Sequence, residues 1–182
     1  MKKSNSYLLH KGIIDGESYL IIATMKSDNS KTGNMVQVCI LLEDTDPVAG
    51  VLSGLDARTI CQGCPFASGE GCYVNVGQSP LAIWRAYHRG NVPYLRAKDY
   101  PLHFSGRKVR FGSYGNPTLI PRHIVRYIAS ICDGWTVIST TGENSEKQRL
   151  GFGIDTLWPR LRLLSHCYLP KNGALGFFML RL

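Results

Sequence analysis

Lys108-Val109-Arg110-Phe111-Gly112, then Gly115-Asn116-Pro117, residues 121–132 and residues 135–140 follow one another along the chain, and their order decides the fold. The first segment alternates basic and apolar residues at the two-residue period of a strand. Gly115-Asn116-Pro117 is turn chemistry, residues 121–132 are amphipathic at helical spacing, and residues 135–140 (Trp-Thr-Val-Ile-Ser-Thr) are β-branched and aromatic, as a second strand would be. Strand, turn, helix and strand in succession predict a βαβ unit with parallel strands and a right-handed crossover. Functional groups are then expected at the strands' carboxyl ends.

Upstream of this unit, Ser79-Pro80-Leu81-Ala82-Ile83-Trp84-Arg85-Ala86-Tyr87-His88-Arg89-Gly90 predicts a helix, with a capping serine, proline in the first turn and a terminal glycine. Residues 18–25 and 34–42 are rich in β-branched and aliphatic side chains and are separated by a polar loop at 26–33, the pattern of a β-hairpin. Asp44-Thr45-Asp46-Pro47, Gly50 and Gly54 are read as the turns that close it. Downstream, residues 162–166 and 175–182 are strand candidates, and a chain ending on the second suggests a shortened sheet. The expected class is α/β: an N-terminal β-hairpin followed by a small mixed or partly parallel sheet with βαβ units, in the limit a partial βα barrel. No repeat or heptad pattern points to a solenoid or coiled coil.

The chain of 182 residues fits one domain, since domains run to about 100–200 residues. Apolar residues make up 44% and charged residues 19%, enough for a packed core. The start, Met1-Lys2-Lys3-Ser4-Asn5-Ser6, lacks the apolar run of a secretory signal, and no segment reaches the roughly 20 apolar residues of a membrane span, so a cytoplasmic location without a membrane role is expected. The formal charge of +8 favours polyanionic partners such as nucleic acid. Arg85, Arg89, Arg107, Lys108 and Arg110, interleaved with Trp84, Tyr87, Tyr94 and Tyr100 and joined by Arg96 and Lys98, suit phosphate contacts and base stacking; solvated arginines over core aromatics give the same pattern.

The densest chemistry is Cys61-Gln62-Gly63-Cys64-Pro65-Phe66-Ala67-Ser68-Gly69-Glu70-Gly71-Cys72-Tyr73. A C-x2-C knuckle lets two thiolates curl around one ion, a third cysteine follows a glycine-rich turn, and Pro65 stiffens the loop. In a reducing compartment such clustering points to metal rather than to disulfides. Cys61, Cys64 and Cys72 are therefore the expected ligands. A closed zinc site needs a fourth, for which His88, His103, His123, His166, Cys132 and Cys167 are candidates. An iron–sulfur cluster held by three cysteines would instead leave one iron open. Cys39, inside an apolar strand, and Cys132, at the end of an apolar helix, are read as small core residues.

Gly112, Tyr114, Gly115 and Asn116 lie between a strand and a helix, where backbone amides approach an anionic ligand, and form a second candidate site. Asn29-Ser30-Lys31-Thr32-Gly33 lacks the upstream glycine of a phosphate loop and is read as a turn. No Ser/His/Asp or paired-carboxylate pattern stands out.

Three segments, Asn29-x-Lys31-Thr32-Gly33-x-Met35-Val36-Gln37, Cys61-x-x-Cys64-Pro65 with Cys72-Tyr73-Val74-Asn75, and Arg110-x-Gly112-x-Tyr114-Gly115-Asn116-Pro117, resemble in order an uncharacterised family of phage and plasmid proteins. Members are usually longer and carry a second cysteine-rich cluster, so the resemblance implies a shortened relative acting in a bacterial host. It fits a zinc loop that supports a basic surface for nucleic acid or a host protein. A looser likeness is to radical S-adenosylmethionine enzymes, where a cysteine loop follows an early strand of a βα barrel and a glycine-rich, proline-ended turn after the next strand helps hold the cofactor. Residues 61–73 and 112–117 occupy comparable places, although the usual C-x3-C-x2-C spacing is missing and a full barrel needs about 250 residues.

Overall fold

Asp15 and Gly16 both adopt positive φ, 50° and 83°, and reverse the chain in a two-residue turn that matches the twist of the strands it joins. Those strands are β1 (Ser6–Ile14) and β2 (Glu17–Thr24), paired antiparallel from Ile14 opposite Glu17 to Ser6 opposite Thr24. The computed structural model describes residues 4–27, 34–64, 66–67, 71–139 and 178–179. The sequence-derived hairpin is present as β2 against β3 (Val36–Leu42), also antiparallel. It is preceded by β1, which sequence reading had missed.

β4 (Lys108–Tyr114) lies parallel to β3, and β5 (Gly134–Ser139) parallel to β4. The two-residue β6 (Phe178–Met179) adds antiparallel to β5, so the sheet order is β1-β2-β3-β4-β5-β6. The predicted α/β class and its mixed sheet are therefore what the chain forms. Parallel strands with helical connections are confined to β3, β4 and β5, while β1 and β2 extend the sheet antiparallel. The strand read at residues 162–166 and the loop at 29–33 lie outside the described residues.

Five helices join the strands among the described residues: α1 (Pro47–Leu52), α2 (Leu55–Arg58), α3 (Ser79–His88), α4 (Tyr100–Phe104) and α5 (Arg122–Ile131). Where the sequence suggested only turns, Asp46 accepts hydrogen bonds from the Val48 and Ala49 amides at 3.0 and 3.1 Å and starts α1, with Pro47 in its first turn. In α5 the amphipathic spacing buries Ile124, Val125 and Ile128 and leaves Arg122, His123, Arg126 and Tyr127 exposed.

Adjacent residues of β1 show that both faces of the sheet are covered. Lys11 reaches Glu43 and Tyr87 on the α3 side. His10 packs beside Tyr19 and feels the charge of His123 on α5. Every residue of β3 is buried, as expected for a central strand between two helical layers. Fully buried Ile21, Ile22, Ile40 and Leu41 each contribute about 1.5–3 kcal/mol relative to exposure. Among the described residues no helix is long and apolar enough to cross a membrane.

Candidate functional site

The cysteine loop starts where α2 ends. The Cys61 amide donates to the Asp56 carbonyl at 2.8 Å, Gly63 to Ala57 at 2.8 Å and Cys64 to Cys61 at 3.1 Å, winding the C-x2-C knuckle tightly. Gln62, at its centre, takes φ of 49°, a conformation a non-glycine residue holds only when its surroundings fix it. Its side chain supplies that fixing: Gln62 Oε1 accepts from Asn116 Nδ2 at 2.7 Å and from Thr118 Oγ1 at 2.8 Å. The Asn116 amide also donates to the Ile60 carbonyl at 2.7 Å. The two segments singled out separately in the sequence are thus bonded to one another.

The turn they meet follows the carboxyl end of β4. Pairing of β4 with β3 jumps from Phe111 opposite Val38 to Tyr114 opposite Cys39, an irregularity at Gly112 and Ser113 that re-aims the chain toward the loop. Gly115 (φ 76°) backs onto β3 so closely that a Cβ there would stand 2.7 Å from the Ile40 Cβ and 3.0 Å from its carbonyl oxygen. Only glycine tolerates both the conformation and the approach. Asn116 is 7% exposed, and its Oδ1 caps the Thr118 amide at 3.0 Å.

Cys61, Cys64, Cys72 and Tyr73 line one side of a cleft, and Gly112, Ser113, Tyr114, Gly115, Asn116 and Pro117 line the other. The cleft's cavity volume is about 60 Å³. Gly112, Tyr114, Gly115 and Asn116, the second candidate site, therefore line the same cleft as the cysteines. Cys61 and Cys64 are partly buried, Cys72 is exposed, and the described cysteines are all free of disulfides. Pro65 and Gly69 lie outside the described residues. Burial pushes the Cys61 thiol up to about 12, and the negative charges of Asp56, Cys64 and Cys72 add to the effect. A cation among these sulfurs would reverse each of those influences, which is how thiolate sites come to depend on their metal. In residue type the three thiols are donors that a thiophilic metal takes. Among the described residues no three His, Cys, Asp or Glu side chains are arranged as a metal-ion site.

Behind the cleft sits a group that no sequence pattern singles out. Asp56 is 2% exposed; its Oδ2 accepts the Tyr114 hydroxyl, and its Oδ1 has no hydrogen-bond partner among the described residues. Gly50 makes room for it, since a Cβ there would lie 2.2 Å from Oδ1. Burial raises the Asp56 carboxyl to about 6 against the opposing pull of the Tyr114 hydrogen bond, with Asp46 adding to the rise. Tyr114 is itself pushed upward by burial and by the Asp56 charge.

Several of the other expected ligands are engaged elsewhere. The His88 ring packs at a tilt against Trp84 at 4.0 Å and its Nε2 lies 2.8 Å from the Glu43 carbonyl; the His103 ring packs on Tyr7 at 4.4 Å. His123 is exposed on α5, and the Cys132 thiol donates to the Gly134 carbonyl at 3.5 Å. His166 and Cys167 lie outside the described residues. Cys39 is a core residue, as expected, with burial pushing its thiol up to about 12. The basic candidates divide. Arg110 Nη2 donates to the Tyr73 hydroxyl at 2.6 Å and its guanidinium lies over that ring, beside the cleft. Arg107 donates to the Met25 carbonyl, Lys108 is exposed at the start of β4, and Arg85 and Arg89 are exposed along and just after α3. Comparison with protein-family models, curated proteins and solved structures yields no match.

Proposed function

We propose that Cys61, Cys64 and Cys72 hold an iron–sulfur cluster with three protein ligands, and that the chain is a small enzyme resembling the radical S-adenosylmethionine type. One observation carries this reading: the cysteine loop, which follows β3, and the glycine turn, which follows the parallel neighbour β4, line the same cleft at the strands' carboxyl end. A loop serving only as a structural clamp has no need of an open cleft walled by glycine-rich backbone. The contacts that His88, His103 and Cys132 make elsewhere in the fold argue against these three as a fourth ligand.

When bound, such a cluster supplies one-electron chemistry to a small molecule on its open iron. The protein's share is to position. Asn116 and Gln62 lock the loop to the turn, while Gly115 lets the turn approach β3 and Gly112 lets it fold against Pro117. Anaerobic purification with iron and sulfide analysis, visible absorption and electron paramagnetic resonance tests the reading. Brown protein with stoichiometric iron and sulfide, lost in Cys64→Ser, is expected. Colourless protein with one tightly held zinc would replace it with the structural zinc loop.

A further inference from the structure

A second surface stands out on the outer side of the layer formed by α4 and α5. Tyr127 on α5 stacks on Tyr100 of α4, with ring centroids 5.6 Å apart and planes 29° from parallel. Tyr100 is anchored: it is 3% exposed and meets Phe104 edge-on at 5.5 Å. Tyr127 is 37% exposed, so one ring face is held by a buried partner while the remainder meets solvent. Such a platform is already ordered, and stacking a flat ligand on it costs little further side-chain entropy.

The platform extends along the chain. Tyr94 is 63% exposed, and its hydroxyl lies close enough to add to the burial that pushes Tyr100 up to about 12. Leu102, 84% exposed, adds apolar area. The exposed charges near these rings in sequence are positive: Arg122 and Arg126, which like Tyr127 lie on the solvent side of α5, and Arg96 and Lys98 between Tyr94 and Tyr100. The acidic group among them is Asp99, half-buried and 3.8 Å from Arg96. Regularly flanked cations match phosphates, and exposed tyrosines match bases. An acidic protein segment would use the arginines and leave the stacked rings without purpose.

From this juxtaposition we infer that the face bearing Tyr94, Tyr127, Arg122 and Arg126 binds single-stranded nucleic acid. It is separate from the basic residues beside the cleft and does not depend on a metal in the cysteine loop. The test is fluorescence anisotropy of the full chain with a labelled oligothymidylate of about 12 nucleotides, a length within the range single-strand sites cover. Binding that weakens as salt rises is expected, with the same sequence in duplex form bound at least tenfold less well. Arg122→Ala with Arg126→Ala should weaken binding at least tenfold and flatten the logarithmic salt slope by about 1.4, the share of two phosphate contacts on a single strand. Tyr94→Ala, which removes an exposed side chain and leaves the core intact, should weaken binding about fivefold or more with the slope unchanged. No binding at low salt, equal affinity for duplex or for polyglutamate, or an unaltered slope in the double arginine variant would each overturn the assignment.

Discussion

The two connections between parallel strands make an instructive pair. Residues 115–133 lead from β4 to β5 through little more than a 3-10 turn and α5, a helix whose apolar stripe does the packing. Residues 43–107 join β3 to β4 and carry α1 to α4, the cysteine loop, Asp56 and most of the polar side-chain bonds. Both satisfy the same topological demand, parallel pairing. The short one shows how little chain that demand requires, and the surplus in the long one is where chemistry has been placed. The turn at Gly112–Pro117 stands at the junction, belonging to the short connection by sequence and to the long one by contact.

The contrast can be broken most sharply in the short connection. Ile128→Ala on α5, a fully buried site, should cost about 2–5 kcal/mol in urea unfolding while leaving metal content per folded molecule and thiol alkylation rates unchanged. Altered thiol reactivity in that variant would mean that the connections are not separable. At the junction, Gly115→Ala should cost about 3 kcal/mol, combining left-handed strain with the collision against Ile40. Gly90→Ala is the control, because Gly90 has a similar φ of 73° but open space around it, and it should cost about 1–2 kcal/mol. Similar losses at both glycines would show that the approach to β3 is not tight.

A pH dependence sharpens the long connection. Asp56 has a folded value raised to about 6 from 3.8, so between these limits the native state holds the proton more tightly than the unfolded chain. Its contribution to stability is therefore greatest at low pH and falls as pH rises from about 4 to about 6, by roughly 2–3 kcal/mol. Asp56→Asn should flatten that part of the stability profile in chemical unfolding of the metal-free protein. An unchanged profile would place the carboxylate in contact with solvent.

Where pattern is local, it could be read. The helix with Pro80 in its first turn spans Ser79–His88 as expected, with Gln78 rather than Ser79 as the flanking cap, and the alternation after Lys108 became β4. β1 was missed because its first residues are buried consecutively, obscuring alternation, yet Asp15-Gly16 was a strong hairpin signal. α1 and α2 are too short for periodicity to register, and only Asp46-Pro47 announced them. For the site, the cysteines and the glycine turn were each visible as loops with unusual chemistry. Their shared cleft was not, since the bond between Gln62 and Asn116 joins residues distant in sequence.

By itself the sequence determined the helices and strands whose periods are long enough to bury a face, together with the identity of the thiol cluster. Ligand chemistry is a property of residue type and spacing, and amphipathicity a property of order along the chain. Tertiary structure alone decided that the cysteine loop closes onto the turn after β4, that Asp56 lies buried against Gly50 and Tyr114, and that Tyr127 stacks on Tyr100. Each of these depends on which strand pairs with which. That choice is made by the burial of β2 and β3 between two helical layers, a property of the whole core and of no single segment.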